Sequence, residues 1–200
     1  MHTRFGFILF LCTLIWFAEL HADQLEKEPR QPTTSSFLLV ASEQMRDPRF
    51  SQAVLLVTSH SGTGPIGLIV NRPLDITLNK LFPDYPASKD LNLLYGGPVY
   101  PMQIAYIVRG GEAAAGALAI SGNIYLAYDM PILEELLVGK RHCKNLLVMR
   151  GLASWAPGQL EDEIKSGIWY VMPLDEAAIF EHLTDGMWHE LYNRENSIAL

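Results

Sequence analysis

The sequence predicts a single α+β domain in which strands outnumber helices. Three observations indicate this class: seven short apolar runs bounded by turn residues, only four stretches with helical spacing, and an irregular order of the two kinds. A regular alternation of strand and helix would instead indicate a parallel βαβ sheet. At 200 residues, 49% of them hydrophobic, the chain is long enough to bury one sizeable core.

The predicted strands are short apolar runs that end at turn residues. They cover residues 37–41, 53–58, 67–70, 104–108, 124–128, 146–149 and 168–172. The predicted helices have apolar residues at helical spacing and cover residues 77–82, 131–138, 157–165 and 174–183. In the second helix, Pro131 suits the first turn and Gly139 follows the apolar stripe as a stop.

The first residues have the pattern of a signal peptide, predicted at 1–22. Arg4 precedes an apolar run at 5–18, which is shorter than the ~20 residues of a membrane span, and Ala22 suits cleavage. Cleavage predicts an exported protein, periplasmic or secreted, whereas an uncleaved leader would anchor the chain in a membrane. Residues 23–36 have the composition of a disordered spacer. The domain is then predicted at 37–192, with a flexible tail at 193–200.

The net charge of −7 argues against a nucleic-acid partner, because binding phosphates along a backbone needs clustered lysine and arginine. The densest basic stretch, residues 140–144, is predicted to be a solvated loop. Cleavage of the leader would remove Cys12 and leave Cys143 alone, so no internal disulfide is expected. Cys143 is expected to be buried at the start of a strand.

No cofactor, metal site or catalytic residue is predicted. The histidines lack the spacing of a zinc site, and no glycine-rich loop has the spacing of a phosphate-binding or dinucleotide-binding motif. The nearest approach to a nucleophile is the Ser-His-Ser stretch at 59–61. It lacks the Gly-x-Ser-x-Gly elbow that exposes a catalytic serine.

The stretch at 151–164, GLASWAPGQLEDEI, has two interpretations. In the first it begins a helix, with Pro157 at the first helical position and three acids near the positive end of the helix dipole. In the second, free N–H groups at the helix start bind a ligand, and Trp155 and Gln159 are the exposed residues there.

Two further segments supply candidate ligand-binding residues. Asn71 and Arg72 end a predicted strand, and Gly96 and Gly97 form a tight turn in which glycine permits positive φ. Arg72 is interpreted either as a clamp for an anion or as the partner of an acid such as Asp47 or Asp75. These residues, with Trp155 and Gln159, are the candidate ligand-binding set.

Five motifs in order resemble the YqgE/AlgH family of bacterial proteins over residues 36–192. They are FLLVAS at 37–42, DPRF at 47–50, GLIVNRP at 67–73, GGPV at 96–99 and WAPGQLE at 155–161. The resemblance implies a coiled, bifurcated mixed sheet that forms a pseudo-barrel with a few flanking helices. It also implies a family without an established reaction, of which some members have been linked to regulation of exopolysaccharide genes.

This sequence departs from the family pattern in three places. Ser154 and Ala156 stand where glycines commonly flank the tryptophan, and Arg109 follows a strand that often ends in histidine. The predicted leader is the largest departure, because the members of the family are usually cytoplasmic.

Three functions follow as hypotheses. The first is a non-catalytic binding or regulatory protein of the cell envelope, acting on a protein partner or a small ligand. The alternative is a hydrolase or other small-ligand-binding enzyme, whose pocket gathers Asn71, Arg72, the Gly96-Gly97 turn and Trp155 at strand ends. A transcription-linked regulator is the third. A membrane is expected as a partner only through an uncleaved leader.

Overall fold

A computed structural model describes residues 36–60, 64–85, 91–181 and 186–198 of the chain. The predicted leader, all but the last residue of the predicted spacer, and His182 lie outside these ranges. The described residues form ten strands and four α-helices, which confirms the α+β class. None of the described helices has the length and apolarity that crossing a bilayer requires.

Each of the seven predicted strands is present, and three more were missed. The strands are β1 Phe37–Ala41, β2 Val54–His60, β3 Gly64–Ile69, β4 Pro73–Thr77, β5 Asn92–Tyr95, β6 Val99–Arg109, β7 Leu118–Ser121, β8 Ile124–Ala127, β9 Asn145–Ser154 and β10 Trp169–Pro173. The missed strands are β4, β5 and β7.

The helices are α1 Met130–Leu137, α2 Gln159–Lys165, α3 Glu176–Glu181 and α4 Gly186–Ile198. The helix predicted at 77–82 is a single 3-10 turn, Leu78–Lys80. Helix α4 continues to Ile198, through most of the stretch that was predicted as a tail from residue 193. Trp188 anchors this helix, because its buried Nε1 donates a hydrogen bond of 2.7 Å to the Ala41 carbonyl in β1.

The sheet divides at β9. Its main path runs β10-β1-β2-β3-β9-β6-β8-β7, with antiparallel neighbours along that path. Residues 148–150 of β9 lie between β6 and a parallel neighbour, β5, whereas Ala153 and Ser154 pair with β3. Strand β4 extends the branch by pairing with β5. The mixed, bifurcated sheet is therefore confirmed, and it is open, with β10 and β7 at the ends of its path.

Three glycines allow the backbone to cross at this division, and we call them the glycine crossing: Gly96, Gly97 and Gly151. Gly96 N–H donates to the Arg150 carbonyl at 2.9 Å, and the Gly96 carbonyl accepts from Ile69 N–H at 2.9 Å. A Cβ on Gly96 would lie 2.2 Å from the Gly151 oxygen, and a Cβ on Gly151 would lie 2.2 Å from the Gly97 oxygen. Only hydrogen fits at either position.

Buried side chains form three hydrophobic clusters. The largest joins β1, β2 and β3 to α3 and α4, a second surrounds Trp155 and Trp169, and a third lies beneath α1 around Tyr106 and Leu133.

Cys143 is half-buried two residues before β9, and desolvation by burial raises the pKa of its thiol. A raised pKa lowers the fraction of the reactive thiolate form.

The glycine crossing predicts a large difference between two Gly→Ala variants. Gly151→Ala combines positive φ, +72°, with a backbone clash, so it should lower the free energy of unfolding by roughly 3 kcal/mol or more. Gly116→Ala is the control, because its φ is +76° but nothing lies within 4 Å of an added Cβ. It should cost about 1 kcal/mol. Urea denaturation measures the free energy of unfolding of both variants. Equal losses in the two would contradict the close backbone approach at the glycine crossing.

Candidate functional site

A cavity of about 770 Å³ lies beside the second hydrophobic cluster. Its walls are the 43–50 segment that connects β1 to β2, residues 98–99 at the start of β6, the end of β9, one face of α2 and the first residue of β10. We call it the Trp-Glu cavity after Trp155, Trp169 and Glu163, which line it together. It lies within the 300–1,000 Å³ that ligand pockets typically occupy.

Glu163 is the polar centre of this cavity. Its Oε2 accepts hydrogen bonds from Trp155 Nε1 at 2.9 Å and from Trp169 Nε1 at 2.8 Å. Its Oε1 accepts from Gln159 Nε2 at 2.8 Å. The two indoles are buried and meet edge to face, with ring centroids 6.5 Å apart. Three donors therefore fix one carboxylate in position.

The local sequence explains how Glu163 reaches both indoles. Strand β9 ends at Ser154, a short turn follows, and Gly158 takes the left-handed conformation, φ +81°, as the cap of α2. Gln159 and Glu163 are four residues apart, so they share one face of α2. The Gln159 side chain also accepts from Ala156 N–H at 3.1 Å, which ties the turn to the helix.

The predicted start of this helix was wrong by two residues. Pro157 lies in the turn, because the left-handed Gly158 delays the first helical residue to Gln159. Leu160 is buried, and Lys165 forms an ion pair with Asp162 at 3.6 Å. Trp155, proposed as an exposed residue in the ligand-binding interpretation, is only 5% exposed.

Gly67 makes room for the Trp155 indole. A Cβ at Gly67 would lie 2.9 Å from two carbons of that ring, so any larger residue would displace it. The glycine of the GLIVNRP stretch and the tryptophan of the WAPGQLE stretch are therefore two halves of one packing arrangement. The sequence patterns alone do not show this, because the two residues are far apart in the chain.

The 43–50 wall contains an ion pair between two residues of the same turn, Asp47 and Arg49. Asp47 accepts from Arg49 Nη2 at 2.6 Å and from Arg49 N–H at 2.9 Å. These bonds lower the pKa of the Asp47 carboxyl, with the side-chain bond as the larger cause and the backbone bond next. Phe50, at the end of the segment, packs edge to face on Trp169 at 5.9 Å.

Asn71 and Arg72 bind the backbone of the neighbouring turn. Asn71 Oδ1 accepts from Val54 N–H at 2.9 Å, and its Nδ2 donates to the Gln52 carbonyl at 2.9 Å. Arg72 donates to the carbonyls of Arg49 at 2.5 Å and Ser51 at 2.7 Å. Among the described residues, Arg72 donates to these two carbonyls and not to Asp47 or Asp75, the acids of its second interpretation.

The candidate ligand-binding set is therefore divided by the structure. Trp155 and Gln159 line the Trp-Glu cavity, whereas Asn71, Arg72 and the Gly96-Gly97 turn do not. The adjacent Pro98 does line it. Glu163, Trp169 and Phe50 were missed as site residues. The one signal in the sequence was the spacing of four between Gln159 and Glu163, which was interpreted only as charge near the helix start.

Comparison with known proteins identifies relatives of this chain. The family DUF179, described as AlgH-like, matches residues 38–197. A UPF0301 protein of Methylococcus capsulatus is 32% identical over 160 residues, which cover 77% of this chain and 85% of that protein. The solution structure of the AlgH protein from Pseudomonas aeruginosa superposes with a TM-score of 0.63 at 27% identity, over 77% of this chain and 85% of that one. A crystal structure from Corynebacterium diphtheriae shares the fold, with a TM-score of 0.64 at 22% identity over 80% and 86% of the two chains.

The clamp around Glu163 predicts a graded loss of stability. Glu163→Ala removes the acceptor of two buried indole N–H groups and should lower the free energy of unfolding by about 2–3 kcal/mol. Glu163→Gln keeps an acceptor oxygen and should lose roughly 1 kcal/mol. Glu161→Ala, an exposed acid on the same helix, is the control and should change stability by about 0.5 kcal/mol or less. Urea denaturation followed by tryptophan fluorescence measures all three. Equal effects of the Ala and Gln variants at Glu163 would contradict the clamp.

The Asp47 ion pair predicts a pH-dependent contribution to stability. Because the folded pKa lies below the unfolded value of about 3.9, the contribution is present above that value. It is lost as the pH falls through the folded pKa. Arg49→Met should raise the pKa of Asp47 towards its ordinary value, measured by NMR titration of the carboxyl carbon. Arg46→Met, in the same exposed segment, is the matched control. An unchanged pKa of Asp47 in Arg49→Met would disprove this assignment.

Proposed function

We propose that this chain, which belongs to the AlgH-like family, is a non-catalytic binding protein whose ligand occupies the Trp-Glu cavity. The ligand is either a small molecule or a segment of a partner protein. The observation that carries this proposal is the Glu163 carboxylate, which three donors hold in place at the cavity wall. A carboxylate fixed in this way is suited to recognition.

The remaining hydrogen-bonding capacity of Glu163 defines one feature of the ligand. A carboxylate has about four lone-pair positions, and two indoles and one amide use three of them. One position on Oε1 is left for a donor. A ligand with an N–H or O–H group directed at Oε1 would complete the set.

The apolar wall defines a second feature. Met45, Phe50 and Ile168 line the cavity and are half-buried, so part of each side chain is available for contact. Burying such surface contributes roughly 25 cal/mol per Å². The ligand class is therefore an apolar group that carries a hydrogen-bond donor, such as the side chain of an aromatic residue with a polar end or a small molecule of the same chemistry.

The enzyme hypothesis receives less support than binding. It needs Asn71 and Arg72 to be available to a substrate, but their side chains are bonded to the backbone at 52, 54, 49 and 51. Releasing Asn71 would leave the buried N–H of Val54 without a partner, at a cost of about 1–3 kcal/mol. These side chains are therefore suited to holding the turn.

We place this binding in the cell envelope. The support for that location is the apolar run at 5–18, which follows Arg4. The protein is exported if the leader is cleaved near Ala22, and it is anchored in a membrane if the leader is retained. The match to the family begins at residue 38, and the apolar run lies before it in the sequence.

A cavity-blocking variant tests the proposal. Ser154 lines the Trp-Glu cavity and its side chain is exposed, so Ser154→Phe directs a ring into the cavity. Ala119 is an exposed residue of β7 that does not line this cavity, so Ala119→Phe is the matched control. Tagged versions are cross-linked mildly in native cells and recovered with whatever protein or small molecule they hold, and mass spectrometry identifies that ligand.

We expect the wild type and Ala119→Phe to recover the same ligand, and Ser154→Phe to lose it. Recovery by all three proteins would contradict binding in this cavity. Turnover by the purified protein that disappears with a single substitution would contradict a non-catalytic role.

The mass spectra of the recovered proteins also report the N-terminus of the bait. A start near Asp23 is expected for export, and an intact leader with cytoplasmic ligands would overturn the envelope location.

A further inference from the structure

A second cavity, of about 470 Å³, lies between β6, β8, α1 and the loop that follows α1. It shares no lining residue with the Trp-Glu cavity. Its floor consists of small and branched apolar residues: Val108, Ala114, Ala117, Ala127, Ile132 and Leu136. We call it the Arg141 cavity, because Arg141 is the half-buried cation that lines it.

Glu135 fixes the orientation of the Arg141 guanidinium. Arg141 Nε donates to Glu135 Oε2 at 2.5 Å, and this bond raises the pKa of the arginine above its ordinary value. The backbone strengthens the arrangement, because N–H groups of Lys140 and Arg141 donate to the Glu135 carbonyl at 2.9 and 3.2 Å. Within the described residues, the two terminal nitrogens of Arg141 donate to no protein group. In the described part of the chain they form an oriented fork that has no protein acceptor.

The other charged groups at this cavity are few. Lys140 lines it as an exposed cation on the same loop, and Glu112 lines it as an exposed acid on the β6–β7 connection. Tyr106 contributes no charge, because burial raises its pKa to about 12 and its hydroxyl donates to the Asp129 carbonyl at 3.1 Å. Glu135 is already paired with Arg141. Among the lining residues, Glu112 is therefore the one other acid near Lys140 and the terminal nitrogens of Arg141.

We infer that the Arg141 cavity binds a small organic carboxylate with an apolar tail. The two terminal N–H groups of a guanidinium match the two oxygens of a carboxylate, and the pair forms two parallel, charge-assisted hydrogen bonds. The alanines of the floor leave space for the tail, and Ile132 and Leu136 supply contact surface. Residues 140–142 of the basic stretch are then one wall of a ligand site.

Calorimetric titration with octanoate, and with 1-octanol as its uncharged match, tests the inference on the full chain. We expect octanoate to saturate one site. The affinity for octanol should be lower by about tenfold or more, because octanol cannot form the charge-assisted bonds to the fork. Arg141→Met should weaken octanoate about tenfold or more and remove the preference over octanol. Lys144→Met is the matched control, since Lys144 is an exposed cation of the same stretch that does not line the cavity.

Two further variants keep Arg141 intact and so test the site even where Arg141→Met fails to fold. Ala117→Leu fills the floor and should abolish octanoate binding while the circular dichroism spectrum stays native. Glu112→Gln removes the opposing acid and should tighten octanoate binding. The inference is overturned if the folded wild type shows no saturable binding, if octanol binds as well as octanoate, or if the variants at Arg141 and Ala117 bind octanoate unchanged.

Discussion

The close approach of the backbone at Gly96, Gly97 and Gly151 is the constraint on which the rest of this fold depends. Strand β9 pairs with β6 along one edge, and along its other edge the partner changes from β5 to β3. The backbones can approach closely enough for this change only where no Cβ lies between them. The hydrogen bonds of Gly96 to Arg150 and Ile69 join the two branches across that point. Both sides of the Trp-Glu cavity continue from it: Pro98 and Val99 on one side, and the residues up to Trp155 on the other.

Much of this fold could be predicted from the sequence, because seven strands bury apolar side chains and are therefore recognisable as short apolar runs. The missed strands lack that signal. In β4, Pro73 and Asp75 are exposed, and β5 has only four residues. Their strand conformation comes from pairing with each other and with β9, which is a tertiary effect that local propensity does not encode. Pro157 was misplaced for a related reason, since the conformation of Gly158 decides where α2 begins.

The candidate sites were predicted less well than the fold. Trp155 and Gln159 were identified, but Glu163 was interpreted as a helix-dipole charge, because its bond to Trp169 depends on how α2 lies against β10. Arg72 presented the opposite problem. An arginine beside acids in the sequence suggested an ion pair, but its donors reach two carbonyls more than twenty residues earlier. Side-chain partners across such separations follow from the sheet topology, which motif spacing alone does not supply.

Native-state hydrogen exchange of the Gly96 and Ile69 amides tests the central role of the glycine crossing most directly. If the crossing holds the two branches together, these amides should exchange only through global unfolding, with the same opening free energy as Leu55 and Leu56 in the buried strand β2. A crossing that opens locally, at several kcal/mol below the global value, would contradict this account. The Trp-Glu cavity would then be bounded by two branches that move independently.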